Sequence, residues 1–123
     1  MSGWRVQETN FPISASAALE LLRSRTADHR YETWFEHDDG RLLGVVTNGE
    51  RAMMLLLDDD GDPGEHAVDP TAAASESNGY RLGNGQVDTY PDADTVPFET
   101  AMRLVHDIIT GHPRRPADWC IDR

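Results

Sequence analysis

Oxygen donors at alternate positions suit a hard cation such as calcium, and the run Asp58-Asp59-Asp60-Gly61-Asp62-Pro63-Gly64 offers them. The detail runs against that chemistry. An EF-hand loop begun at Asp58 places Pro63 at its sixth position, where glycine must turn the chain, and Asp69 at its twelfth, where a bidentate glutamate must close the site. The segment before it is β-like rather than helical. The run therefore reads as a solvated turn or as an acidic knob facing a partner. Five histidines (His29, His37, His66, His106, His112) and Cys120 form no HExxH, no CxxC and no helical i, i+4 pair, so no zinc site is expected. The H-x-E and P-C-x-x-C pair of zinc-dependent nucleobase deaminases is missing as well. Nucleophile elbows, Walker loops and dinucleotide fingerprints are absent, and Gly83-Asn84-Gly85 signals a turn with no helix behind it to hold a phosphate. Carboxylate pairs carry little weight, because 22 acidic residues bring some together by chance. The expectation is a chain with no catalytic residue, no metal and no cofactor.

The elements that would position these groups follow from periodicity. Ala15, Ala18, Leu19 and Leu22 fall at i, i+3, i+4 and i+7, which predicts an amphipathic helix over Ser14 to Arg25 with Ser14 or Ser16 as its cap. Trp4 to Glu8 ahead of it predicts a short strand. From Arg30 the period becomes two, and Asp39-Gly40 and Asn48-Gly49 separate three apolar runs, predicting an antiparallel meander with a type I′ turn at Asn48-Gly49. Consecutive apolar residues in the second and third runs require cover on both sheet faces. Glu65 to Asp69 predicts a short strand, Pro70 to Asn78 a mobile stretch, and Tyr80 to Leu82 with Gln86 to Tyr90 a second hairpin. Phe98, Ala101, Met102, Val105, Ile108 and Ile109 form one apolar stripe of a helix, with Pro97 at its start and Gly111 past its end. Pro113 and Pro116 then enforce an extended segment leading to a strand over Ala117 to Ile121. Trp34 and Trp119 read as core residues, and Trp4 as either core or recognition. The predicted fold class is α+β: one domain over residues 1–123, a single twisted antiparallel sheet of about six strands with two helices on one face.

Composition limits the function classes. With 123 residues, of which 38% are hydrophobic, one modest core is within reach. Met1-Ser2-Gly3-Trp4-Arg5 leads into polar residues without an apolar signal region, no apolar run is long enough to cross a bilayer, and Cys120 is the lone cysteine; a reduced, cytoplasmic setting is expected. A net charge of −11 disfavours nucleic acid and anionic membranes as direct partners. Such a charge steers a basic protein into contact, or serves solubility alone.

The ordered set Asn84-Gly85-Gln86-Val87-Asp88, Tyr90-Pro91, Thr95-Val96-Pro97, Ala101, Val105, Gly111, Pro113, Pro116 and Trp119 resembles the C-terminal signature of immunity proteins of bacterial polymorphic-toxin systems, in particular the group associated with deaminase toxins and its actinobacterial members. The resemblance implies a protein without catalytic residues that binds and neutralises a cognate toxin domain, nucleic-acid-targeting and in this group a deaminase, encoded by a neighbouring gene. On that reading the expected contacts are Asp58, Asp59, Asp60, Asp62, Asp92 and Asp94, with Asn84 and Gln86 as polar specificity contacts. The alternatives are a small ligand-binding or enzymatic α+β domain with a pocket between helix and sheet, and a generic adaptor.

Overall fold

The computed structural model describes residues 3–113 and 118–122. The chain opens on two short strands, β1 (Trp4–Val6) and β2 (Phe11–Pro12), then α1 (Ala15–Ala27). A meander follows: β3 (Glu32–His37), β4 (Leu42–Thr47) and β5 (Arg51–Leu57). After β6 (Glu65–Ala67) come the hairpin β7 (Glu76–Arg81) and β8 (Val87–Pro91), a 3-10 turn at Asp92–Asp94, β9 (Val96–Pro97), α2 (Phe98–Thr110) and β10 (Trp119–Ile121). The sheet is antiparallel and open, in the order β10-β6-β5-β4-β3-β1-β2, with β9 pairing the start of β5. The α+β expectation holds.

Each helix ends where its local chemistry dictates. The Ser14 side chain accepts the Ala17 amide at the start of α1, satisfying a donor that has no intrahelical partner. α2 starts after Pro97 and stops at Gly111, whose left-handed φ of 81° a side chain would resist. The predicted stripe of α2 is the buried one: Ala101, Met102, Val105, Ile108 and Ile109 pack with Ala18 and Leu22 of α1 on Phe35, Leu43, Val45, Met54 and Leu56. These sheet residues share one face, because side chains alternate along each strand. Between the helices, exposed Arg23 grips Glu99 with two hydrogen bonds of 2.8 and 2.9 Å. Arg25 is buried instead, against Thr33 and Glu8, a polar contact that periodicity does not reveal.

The second face is also covered, as the continuous apolar runs require: all six residues of β4 are buried. The cover is the β7–β8 hairpin, which forms its own two-stranded sheet and does not extend the main one. It is fastened by Asn48 Nδ2 donating to the Asn78 carbonyl (3.0 Å) and the Gly83 amide donating to Glu32 (2.7 Å), and it brings in the fully buried Tyr80.

Several expectations are corrected. The last part of the 70–78 stretch is regular: β7 begins at Glu76, and the Ser75 carbonyl accepts the Asp92 amide at 2.9 Å. At Asn48-Gly49 only Gly49 has positive φ (95°), so the turn is not type I′; Asn48 instead accepts the Glu50 and Arg51 amides on its side-chain oxygen. A two-residue strand at Phe11–Pro12, absent from the periodicity, closes a hairpin with β1. Trp34 is on the outer face, half-buried, with its indole nitrogen donating to Glu32 at 2.9 Å. Of the expected extended segment and last strand, Pro116 and Ala117 lie outside the described residues, and the strand is found at Trp119–Ile121.

Trp34 sits where it does because its cross-strand neighbour is Gly44. A Cβ at Gly44 would fall 2.6 to 2.8 Å from three carbons of the indole. Gly44→Ala is expected to destabilise the fold by about 1–3 kcal/mol through overpacking. Urea unfolding in the wild-type and Trp34→Leu backgrounds checks it: the cost should shrink when the indole is gone, and equal costs in both would contradict this account.

Candidate functional site

The polar groups of the outer face gather round Arg51, the first residue of β5. Its Nε donates to Thr95 Oγ1 at 2.8 Å, and Nη2 reaches Asp69 (2.9 Å) and the carbonyls of Asp92 (3.0 Å) and Thr95 (3.1 Å). The Asp92 carboxylate accepts Ser75 at 2.5 Å and Ser77 at 2.6 Å. A guanidinium removed from water needs this many acceptors, and the surrounding turns supply them. The Arg51 hydrogen bond, then those from Thr71, hold the Asp69 carboxyl below its ordinary range; the two serines do the same for Asp92. The Tyr80 hydroxyl lies near Thr95 and Arg51 without a well-formed hydrogen bond among the described residues, and burial raises its pKa.

The expected contact residues separate accordingly. Asp92 points into this network and binds the hairpin to the sheet. Asp94, two residues on, turns outward and takes the Nε2 of His66 at 3.0 Å, while Nδ1 meets Asp122 at 2.8 Å. Burial opposes the imidazolium, but these two hydrogen bonds and the carboxylate charges outweigh it, so His66 stays protonated above its ordinary pKa. His66 and Asp122, together with Cys120, have donor atoms converging as a metal would need. In the β5–β6 loop Asp62 accepts the Asp58 amide at 2.9 Å and closes the turn. Asp58, Asp59 and Asp60 are exposed around it, and Asp59 and Asp60 have no ion pair among the described residues. Asn84 and Gln86 are exposed at the β7–β8 tip: Asn84 accepts the Gln86 amide (2.9 Å), and Gln86 donates to Asp88 (2.6 Å).

At the other end of the sheet is an open groove of about 1020 Å³ between β1, the start of α1 and the end of α2. Trp4, Arg5, His37, Arg41, Ile108 and Ile109 line it. Its charged groups are already engaged. Arg5 holds Glu36 (3.0 Å) and Asp38 (2.8 Å), and Arg41 holds Asp39 (2.9 Å) with its guanidinium 5.2 Å from the Trp4 ring. At its rim the Thr110 hydroxyl meets His112 Nδ1 at 2.6 Å, but that hydroxyl donates to the His106 carbonyl at 2.7 Å and so caps the end of α2. The polar contacts of Arg51 and His66 were not legible because they join distant segments of chain.

Compared with known protein families, curated proteins and solved structures, the chain finds no match in any of the three. Among the described residues, no helix is long and apolar enough to cross a membrane.

The Arg51 network carries an acid-sensitive part of the stability. Because the folded pKa of Asp69 lies below its ordinary value of 3.8, its contribution is complete above that value and is lost as pH falls through the folded pKa. Asp69→Asn should cost about 2 kcal/mol at neutral pH, with the gap to wild type closing below about pH 3.8. Urea titrations across that range measure it; a gap independent of pH would contradict the assignment.

Proposed function

We propose that this protein acts by binding another protein through its anionic surface, as an immunity protein that covers the basic, nucleic-acid-targeting face of a cognate toxin domain from a neighbouring gene, and that it is not an enzyme. The single observation that carries this is how the charges are divided. Arg5, Arg23, Arg25, Arg30, Arg41 and Arg51 each face a carboxylate of the same chain, whereas the neighbouring exposed carboxylates Asp59 and Asp60 have no ion pair among the described residues. The acidic loop is the densest such stretch, and its turn is closed from within by Asp62, leaving Asp58, Asp59 and Asp60 displayed. An exposed anionic loop of this kind accelerates encounter with a cationic cleft and opposes binding to nucleic acid itself. Asp94 and the exposed amides of Asn84 and Gln86 are the further contacts in this reading, while Asp92 supports the hairpin that presents them.

The groove beside Trp4 favours a second reading, a small-ligand site, because it is large and partly apolar. Binding there would change Trp4 fluorescence and leave the acidic loop irrelevant.

Co-expression with the toxin domain encoded beside it provides the test: growth should be rescued and a complex recovered. Asp59→Lys with Asp60→Lys should slow association about tenfold or more at low salt, the difference narrowing as salt rises. Absence of both complex and protection would remove the proposal.

A further inference from the structure

The register of the sheet brings together a set of donors that no sequence spacing announces. His66 pairs directly with Cys120 across β6 and β10, and Asp122 lies two residues beyond Cys120, so alternation turns all three side chains to the outer face. The ladder continues through the pair at both ends, with the Val68 amide on the Asp118 carbonyl (2.8 Å) and the Asp122 amide on the Gly64 carbonyl (2.9 Å). Asp122 is therefore held by backbone pairing beyond the last residue of β10. One ligand atom from each of His66, Cys120 and Asp122 lies within 4.8 Å of the other two. A tetrahedral ion with sulfur at ~2.3 Å and nitrogen or oxygen at ~2.0–2.2 Å needs donors roughly 3.5 Å apart, so the ion would replace the 2.8 Å hydrogen bond between His66 and Asp122, and side-chain rotation would set the three spacings.

We propose that His66, Cys120 and Asp122 form a binding site for a thiophilic divalent ion of the zinc class. Thiolate with imidazole selects such an ion over calcium or magnesium, which take oxygen alone. The second observation that points to an ion is Asp94. It accepts from Nε2 of His66 at 3.0 Å, so that Nδ1, now hydrogen-bonded to Asp122 at 2.8 Å, is the nitrogen that would give up its proton and turn to an ion, with Asp94 orienting the imidazole from behind. His66 is held by this bond with its side chain only 17% exposed, whereas Cys120 and Asp122 remain open to solvent for entry of the ion. Thiolate and carboxylate together balance the two positive charges, and a water completes the fourth position. The acidic β5–β6 loop, joined to β10 through Gly64 and Asp122, adds a field that attracts cations.

Cobalt(II) titrated into the full-length, reduced chain tests the site. Thiolate-to-cobalt charge-transfer absorption should grow to saturation at one equivalent and be displaced by zinc. Cys120→Ser, a change at an exposed side chain, should abolish that absorption with the circular dichroism of the fold unchanged. His66→Gln and Asp122→Asn should weaken binding by tenfold or more, and Asp94→Asn by roughly 10- to 100-fold with the charge-transfer band retained, as expected of an orienting partner. Failure of the absorption to appear at millimolar cobalt would overturn the proposal. So would cobalt binding that Cys120→Ser leaves intact, or absorption that arises only in a sedimenting dimer, which would place the thiolates of two copies on one ion.

Discussion

The contact between Gly44 and Trp34 sets the register on which the outer face depends. β4 reads Leu42-Leu43-Gly44-Val45-Val46, apolar on both faces, so hydrophobicity alone does not choose which residues meet the helices. A slip of one residue would exchange the two faces at small cost in burial. The vacancy at Gly44 distinguishes them, because the indole opposite needs the space that any side chain there would occupy. With that pairing fixed, one row crosses the outer face from Trp34 through Gly44, Leu55 and His66 to Cys120. The neighbouring positions Phe35, Leu43, Val45, Met54 and Leu56 go to the core.

Arg51 performs the corresponding task for the cover of that face. A partly buried guanidinium with one acceptor would be costly, and here it reaches two backbone carbonyls, a carboxylate and a hydroxyl from two separate segments, at Asp69 and at Asp92 to Thr95. The chain between β6 and α2 is thereby drawn over the sheet. Asp92 is fixed by the same cluster, and two residues later Asp94 emerges at His66. The geometry of the outer cluster is thus set from inside the protein, by a cation with no exposed role.

Periodicity and turn chemistry made the framework legible. The stripe of α2, the cap at Ser14, the stop at Gly111 and the three meander strands all follow from patterns within a few residues of one another. What stayed hidden depends on distance along the chain. The β7–β8 hairpin looked like more of the same sheet, because a strand's sequence does not reveal which face or edge receives it. Asp92 looked like one more exposed acid, since nothing nearby in sequence indicates that Ser75, Ser77 and Arg51 converge on it. His66 and Cys120 lack any motif spacing for the same reason: cross-strand register, and not interval in the chain, makes them neighbours. Trp34 shows the reverse case, an aromatic whose assignment to the core was reasonable from its apolar context and was overridden by the one missing side chain opposite it.

Charge links the remaining parts. An excess of acid favours solubility and attracts cations, yet it also strains a compact state through self-repulsion, most where carboxylates crowd. The chain relieves this unevenly. Around Arg51, and along β1 and β3 at Arg5, carboxylates are matched with guanidinium groups. At the end formed by the β5–β6 loop and β10 the relief comes from His66, an imidazole between Asp94 and Asp122, while Asp59 and Asp60 have no ion pair among the described residues. The charges of Asp59 and Asp60 therefore add to those of Asp94 and Asp122 at this end of the sheet. A cationic partner surface and a divalent ion would lower that potential by the same electrostatics, so a cation held at His66, Cys120 and Asp122 would weaken the attraction of the nearby loop for a basic protein.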